Sequence, residues 1–175
     1  VKGTIKVRAN NELVIDHNDR DVLTGGKIGL FTGAQSRAVF DDFKAVEYKY
    51  KQGLAMTEEV TAGWTNVSGT WETKGDELIQ KAQDGARAYR VLNGENLGDI
   101  VVDADINLLG DSIFRSAGVI FRSDDAMENY LMVRLDPGDG RVKLFRVETT
   151  QTTDSDGQLK KTVKETVMAY EEIPI

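Results

Sequence analysis

Arg122, Tyr130 and Arg134 are the side chains of this sequence best suited to meet a polyhydroxylated ligand. Along Ala117–Arg122, strand alternation sends Ala117, Val119 and Phe121 to one face and Ile120 and Arg122 to the other. Along the next stretch, Leu131, Val133 and Leu135 oppose Tyr130, Met132 and Arg134. If both stretches belong to one sheet, Arg122, Tyr130 and Arg134 line one groove. A guanidinium offers a fork of donors to hydroxyls, and a tyrosine offers an apolar ring with a polar tip. Asp124, Asp125 and Glu128, between the two stretches, add acceptors. The competing expectation is that Arg122 pairs with one of these acids and pins the loop.

Other candidates fit fewer chemistries. Asp41 and Asp42 are adjacent acids in a bulge-prone stretch, and calcium takes about six to eight oxygens, of which two carboxylates and nearby carbonyls supply a part. Asp16-His-Asn-Asp-Arg-Asp21 is oxygen-rich but lacks the glycine of a calcium-binding helix–loop–helix, and reads as a solvated turn. Asp103 and Asp105 share one strand face. Paired carboxylates can cleave glycosides, yet this pair reads as a solvated face. The single histidine, His17, has no nucleophile suggested beside it, and there is no cysteine. Zinc, nucleophilic and nucleotide chemistries therefore lack support, and no enzymatic role is expected. The two tryptophans, Trp64 and Trp71, could stack on sugars, but core packing is the expectation for both.

The elements that must position these residues are short and alternating. The chain has 175 residues, two prolines and a net charge of −7. That length suits one domain burying roughly 70% of its unfolded surface. An acidic balance argues against a phosphate-backbone binder, which needs a basic stripe. No run of about 18 apolar residues exists to insert in a membrane. Strands are expected over Thr4–Ala9, Glu12–Asp16, Lys27–Thr32 and Arg37–Glu47, then over Thr70–Thr73, Glu77–Lys81, Ala86–Val91 and Asp99–Leu109. Ala117–Arg122, Tyr130–Leu135, Arg141–Glu148 and Val163–Tyr170 complete the set. Asn10-Asn11 tolerates positive φ and suits a tight hairpin. Phe40 and Phe43, three apart, both reach a core if a bulge falls at Asp41-Asp42. Residues 51–62 read as a linker with room for a helical turn, and Thr149–Lys161 as a long hairpin tip.

Several segments resemble the laminin-G-like, concanavalin A-like jelly-roll superfamily. Ser116-Ala-Gly-Val-Ile-Phe-Arg-Ser-Asp124, Asn129-Tyr-Leu-Met-Val-Arg-Leu135 and Val142-Lys-Leu-Phe-Arg146 carry the clearest signature. The likeness is strongest to levanase-type fructan-binding modules and to 3-keto-disaccharide hydrolase-like domains. Gly26-Lys-Ile-Gly-Leu-Phe-Thr-Gly33 with Ala38-Val-Phe-Asp-Asp-Phe-Lys-Ala-Val46 looks like the ending of such a module. Gly63-Trp-Thr-Asn-Val-Ser-Gly-Thr-Trp71 looks like its beginning. Here the ending comes first. The expectation is an all-β antiparallel β-sandwich jelly roll, circularly permuted or straddling two tandem repeats. Residues 1–50 would be a C-terminal half and 63–175 an N-terminal half, together forming one sandwich.

The resemblance implies non-catalytic binding of a polysaccharide or oligosaccharide by a secreted or cell-surface bacterial protein. It adds the expectation of a structural Ca2+ near Asp41 and Asp42. Two alternatives stay open: a structural repeat of an adhesin or filament that assembles with further copies by strand exchange, and a glycoside hydrolase-like domain. Neither a nucleic-acid partner nor membrane insertion is expected.

Overall fold

The computed structural model describes residues 3–21, 23–33, 36–51, 54–60, 63–81, 87–94 and 96–173. The described residues form strands and turns and contain no helix. In chain order the strands are β1 (Thr4–Ala9), β2 (Glu12–Asn18), β3 (Lys27–Thr32), β4 (Arg37–Lys51), β5 (Leu54–Glu59), β6 (Trp64–Ser68) and β7 (Trp71–Lys74). They continue as β8 (Glu77–Gln80), β9 (Ala88–Leu92), β10 (Asp99–Leu109), β11 (Ala117–Ser123), β12 (Asn129–Asp136), β13 (Arg141–Thr153) and β14 (Leu159–Glu172).

All pairings are antiparallel, and they build a β-sandwich. A seven-stranded sheet runs β14-β13-β12-β11-β3-β9-β6. A five-stranded sheet runs β10-β4-β8-β7, with β5 also bonded to β4. Strands from the first 51 residues sit inside both: β3 lies between β9 and β11, and β4 lies between β8 and β10. The β1–β2 hairpin is a sheet of its own.

Alternation explains what each face buries. Ile28 and Leu30 of β3 point inward, as do Ala117 and Val119 of β11. They meet Ala38, Phe40, Ala45 and Leu78 of the five-stranded sheet. Phe40 and Phe43 both reach this interior because the β4–β10 register shifts between them, with Asp42 at φ 47°. Trp71 packs there on Phe40 and donates its indole N–H to the Ser68 carbonyl at 2.9 Å. Trp64 meets Phe43 edge-on at 4.9 Å between centroids. Both indoles pack in the core.

The rest of the same face, on β12 and β13, is covered by the β1–β2 hairpin. Ile5 and Ile15 close over Leu131, Val142 and Leu144. The hairpin turns at Asn10 and Asn11, both at positive φ (49° and 67°), as their side chains permit. It is clasped to the sheet by Arg146, whose guanidinium reaches Asp19 at 2.6 Å and the Asp21 carbonyl at 2.7 Å. Asp19 is buried, so the expected solvated turn at Asp16–Asp21 is corrected. Burying one carboxylate there is tolerable because Arg146 neutralises it.

Two further expectations change. Residues 54–59, within the stretch expected to be a linker, form β5 and pair with Val46–Lys51. Lys49 ties the two strands through Glu58 at 2.7 Å and also holds Glu47 at 3.3 Å. In Thr149–Lys161 only the turn about Asp154–Gln158 is irregular. Thr149–Thr153 and Leu159–Val163 pair as a two-stranded arm, in keeping with the preference of β-branched threonine and valine for strands.

Candidate functional site

The opposite face of the seven-stranded sheet carries a second apolar cluster with no strand over it among the described residues. Phe31, Ile120, Tyr130, Met132, Phe145 and Val147 are all buried, joined by Tyr89 and Met127. Every one comes from this sheet or from the loop before β12. Their cover is a row of charged side chains lying across them.

That row is an unbroken chain of ion pairs. Arg87 meets Glu165 at 2.5 Å, and Glu165 meets Arg134 at 3.4 Å. Arg134 grips Asp136 with two nitrogens, at 2.8 and 3.0 Å. Lys143 holds the same Asp136 at 3.0 Å and also contacts Asp139. Three cations alternate with three anions. The guanidinium of Arg134 lies 4.2 Å from the Phe145 ring centroid, and that of Arg87 lies 6.0 Å from Phe31. Long polar side chains laid on apolar rings keep their heads in water while their stems exclude it.

The register puts them there. Arg134 is opposite Lys143 on β13 and Gly118 on β11. Gly118 leaves its side of the strand empty because a Cβ would stand 2.0 Å from the Val133 carbonyl oxygen. Glu165 on β14 is opposite Val147, which is opposite Tyr130.

The row divides the face into two hollows that share Arg87. One, of about 550 Å3, is walled by Tyr89, Tyr130, Met127, Thr149, Val163 and Glu165. The other, of about 460 Å3, lies over Phe31 between Arg134, Asp136 and Lys143 and the loop carrying Ile113 and Phe114. Phe114 is 73% exposed at that rim. Gly138 lets the loop sit against the β12–β13 turn, since a Cβ there would be 2.1 Å from the Ile113 carbonyl oxygen.

Electrostatics follow from the packing. Burial lowers the pKa of Arg87, but Glu165 and the Tyr89 hydroxyl outweigh it, leaving a net upward shift. Burial likewise opposes the charge on Lys143, and Asp139 and Asp136 reverse that, so its pKa is raised. The Lys143 ammonium in turn lowers Asp139. Burial, then the neighbouring Tyr89, pushes the Tyr130 phenol well above its ordinary range. The two hydroxyls are 3.4 Å apart. Arg87 and Lys143 therefore stay charged at neutral pH, and the Tyr130 phenol keeps its hydroxyl.

The sequence-derived site residues separate. Tyr130 and Arg134 share the groove, as alternation predicts. Arg122 does not join them. It sits at φ 54° where the β11–β3 register shifts, and its guanidinium faces Asp99 at 3.9 Å. The turn in the backbone is permitted by Gly26, where a Cβ would fall 2.4 Å from the Arg122 carbonyl carbon. The expected pairing of Arg122 with a loop acid is therefore corrected. Asp124 pins the loop itself, accepting from the Glu128 and Asn129 amides at 2.8 and 3.1 Å and from the Asn129 side chain at 2.7 Å. Asp125 forms an exposed ion pair with Lys27 at 2.9 Å. Glu128 receives Lys161 at 2.7 Å.

Asp41 and Asp42 stand at the β4 bulge. The Asp41 carboxylate accepts from the Asp42 amide at 2.9 Å. Among the described residues no group of three acidic, histidine or cysteine side chains converges to hold a metal. A calcium ion would have to draw most of its six to eight oxygens, roughly, from carbonyls. Asp41 and Asp42 by themselves supply only a part of such a shell.

Arg87, Asp136, Lys143, Glu165 and Phe114 were not singled out from the sequence. Alternation along Arg141–Glu148 does place Lys143 on the face of Phe145, which is the one local signal. Comparison with protein-family models, with curated proteins and with solved structures finds no match.

Proposed function

We propose that this groove binds a neutral carbohydrate without transforming it. The supporting observation is the alternating row from Arg87 to Asp139 laid over an apolar floor. Its three cations and three anions cancel, which suits a ligand rich in hydroxyls and poor in charge. Each hydroxyl can both donate and accept, and each ion pair offers both complements within a few ångströms. Phe114 at the rim supplies an exposed ring for the apolar face of a sugar. Every carboxylate in the row is held by a cation, an arrangement for offering acceptors rather than for delivering protons. Strands and ion pairs hold these groups before any ligand arrives, which lowers the ordering cost of binding.

The same reading takes the sandwich as a laminin-G-like, concanavalin A-like jelly roll with its halves in permuted order, from a secreted or cell-surface bacterial protein. The insertion of β3 and β4 among later strands supports it.

The test is affinity electrophoresis of the chain against a panel of neutral polysaccharides. Binding to at least one is expected, with Arg134→Ala and Phe114→Ala each weakening it about tenfold or more, roughly 1.4 kcal/mol. Arg122→Ala, outside the groove, leaves it unchanged. Absence of any binding, or indifference to both groove variants, overturns the proposal.

A further inference from the structure

The strand at one end of the seven-stranded sheet is unusual in its length, its exposed apolar groups and its charge order. β14 spans 14 residues and ends the sheet, bonded only to β13 among the described strands. Its other edge presents a row of backbone donors and acceptors. Leu159, Val163, Val167 and Tyr170 are all exposed on it. Of the large exposed apolar residues among those described, no other strand carries so many.

Edge strands that resist pairing scatter charges of one sign, so that any approaching copy meets repulsion. β14 is ordered differently. Lys160, Lys161 and Lys164 occupy its first half, Glu165 beside them is already held by Arg87 and Arg134, and Glu171 and Glu172 stand at its end. Parallel pairing of two copies would set lysine against lysine. Antiparallel pairing sets the basic half of each on the acidic end of the other. Lys160, Lys164 and Glu171 have no charged partner among the described residues, while Lys161 and Glu172 have partners in Glu128 and Arg141.

The faces also match. Opposite β13, Lys161 pairs with Gln151, Val163 with Thr149, Tyr170 with Lys143 and Glu172 with Arg141, so all four share the groove face. The register that sets Lys161 against Glu172 of a second copy also sets Val163 against Tyr170. It therefore covers two exposed apolar side chains with the same step that pairs the charges. A two-fold axis produces this arrangement, since one patch then meets itself.

We propose that β14 is a self-recognition edge, pairing antiparallel with β14 of a second copy so that the two seven-stranded sheets become one. Backbone hydrogen bonds hold the seam, and the charges set its direction.

Light scattering over a concentration series of the full chain tests this, at low and at physiological salt. A doubling of mass toward the millimolar range is expected, and it is favoured by low salt. The K160E/K161E chain and the E171K/E172K chain should each self-associate at least tenfold more weakly. Mixed in equal amounts they should restore a dimer, because one strand is then acidic at both ends and the other basic at both ends. A chain carrying all four reversals should also dimerise, which guards against loss of folding as the cause. A wild-type chain that stays monomeric across the series overturns the proposal, as does a dimer indifferent to the reversals.

Discussion

The two faces of the seven-stranded sheet bury similar side chains by different means. On the inner face, Leu30, Leu131 and Leu144 lie under other strands, shape against shape. On the groove face, Phe31, Met132 and Phe145 are as deeply buried, yet what covers them is charged. The first cover is backbone and packed apolar side chains. The second consists of side-chain tips that a ligand can meet. A sheet can thus keep a full apolar layer and still present a polar surface, provided the charges cancel along the row.

The largest expected effect breaks the inner face. Leu144→Ala leaves a cavity under the β1–β2 hairpin and should cost about 3 kcal/mol, read as a lower denaturant midpoint. Next is Asp19→Ala, which strands the Arg146 charge in a mostly buried place. It should cost about 2–3 kcal/mol, and the Asp19→Ala, Arg146→Met double variant should recover a good part. If Asp19→Ala were silent, the clasp would contribute nothing.

A smaller effect sharpens the comparison through pH. The Tyr130 phenol is held protonated by burial and by Tyr89, above its ordinary value of 10.0. From about pH 10 upward the unfolded chain releases that proton while the folded chain keeps it. Stability present below that pH is therefore lost as pH rises, by up to about 1.4 kcal/mol per unit. Tyr130→Phe should flatten this part of the slope, seen as converging melting curves between roughly pH 9 and 11. Parallel curves would mean that the groove floor is wet. The smallest effect is Arg134→Met, which keeps a stem over Phe145 and leaves Lys143 and Arg87 to hold the acids. It should cost about 1 kcal/mol or less while still weakening glycan binding.

Much of this architecture is written locally. The Asn10-Asn11 turn, the bulge at Asp41-Asp42 and the two faces of Leu131–Arg134 follow from side-chain conformational preference and a period of two. The site is less legible because its row crosses several strands. Arg87, Arg134, Lys143 and Glu165 are brought together by strand order and register, which depend on the whole sheet and not on any window of sequence. Arg122 shows the converse. Alternation alone sends it to the groove, but Gly26, nearly a hundred residues earlier, admits a bulge that turns it to Asp99. β5 was hidden because its partner, not its own pattern, makes it a strand.

The β1–β2 hairpin bonds to no other strand and is held by its apolar underside and the Asp19–Arg146 clasp. Such a unit can lift away as a piece while the sandwich behind it stays closed. Its amides then exchange with solvent through a local opening rather than through global unfolding. Protection of the β1–β2 amides below that of the β3 and β11 amides is the expected outcome, because one ion pair and a handful of aliphatic contacts hold residues 3–21 over Leu131 and Leu144.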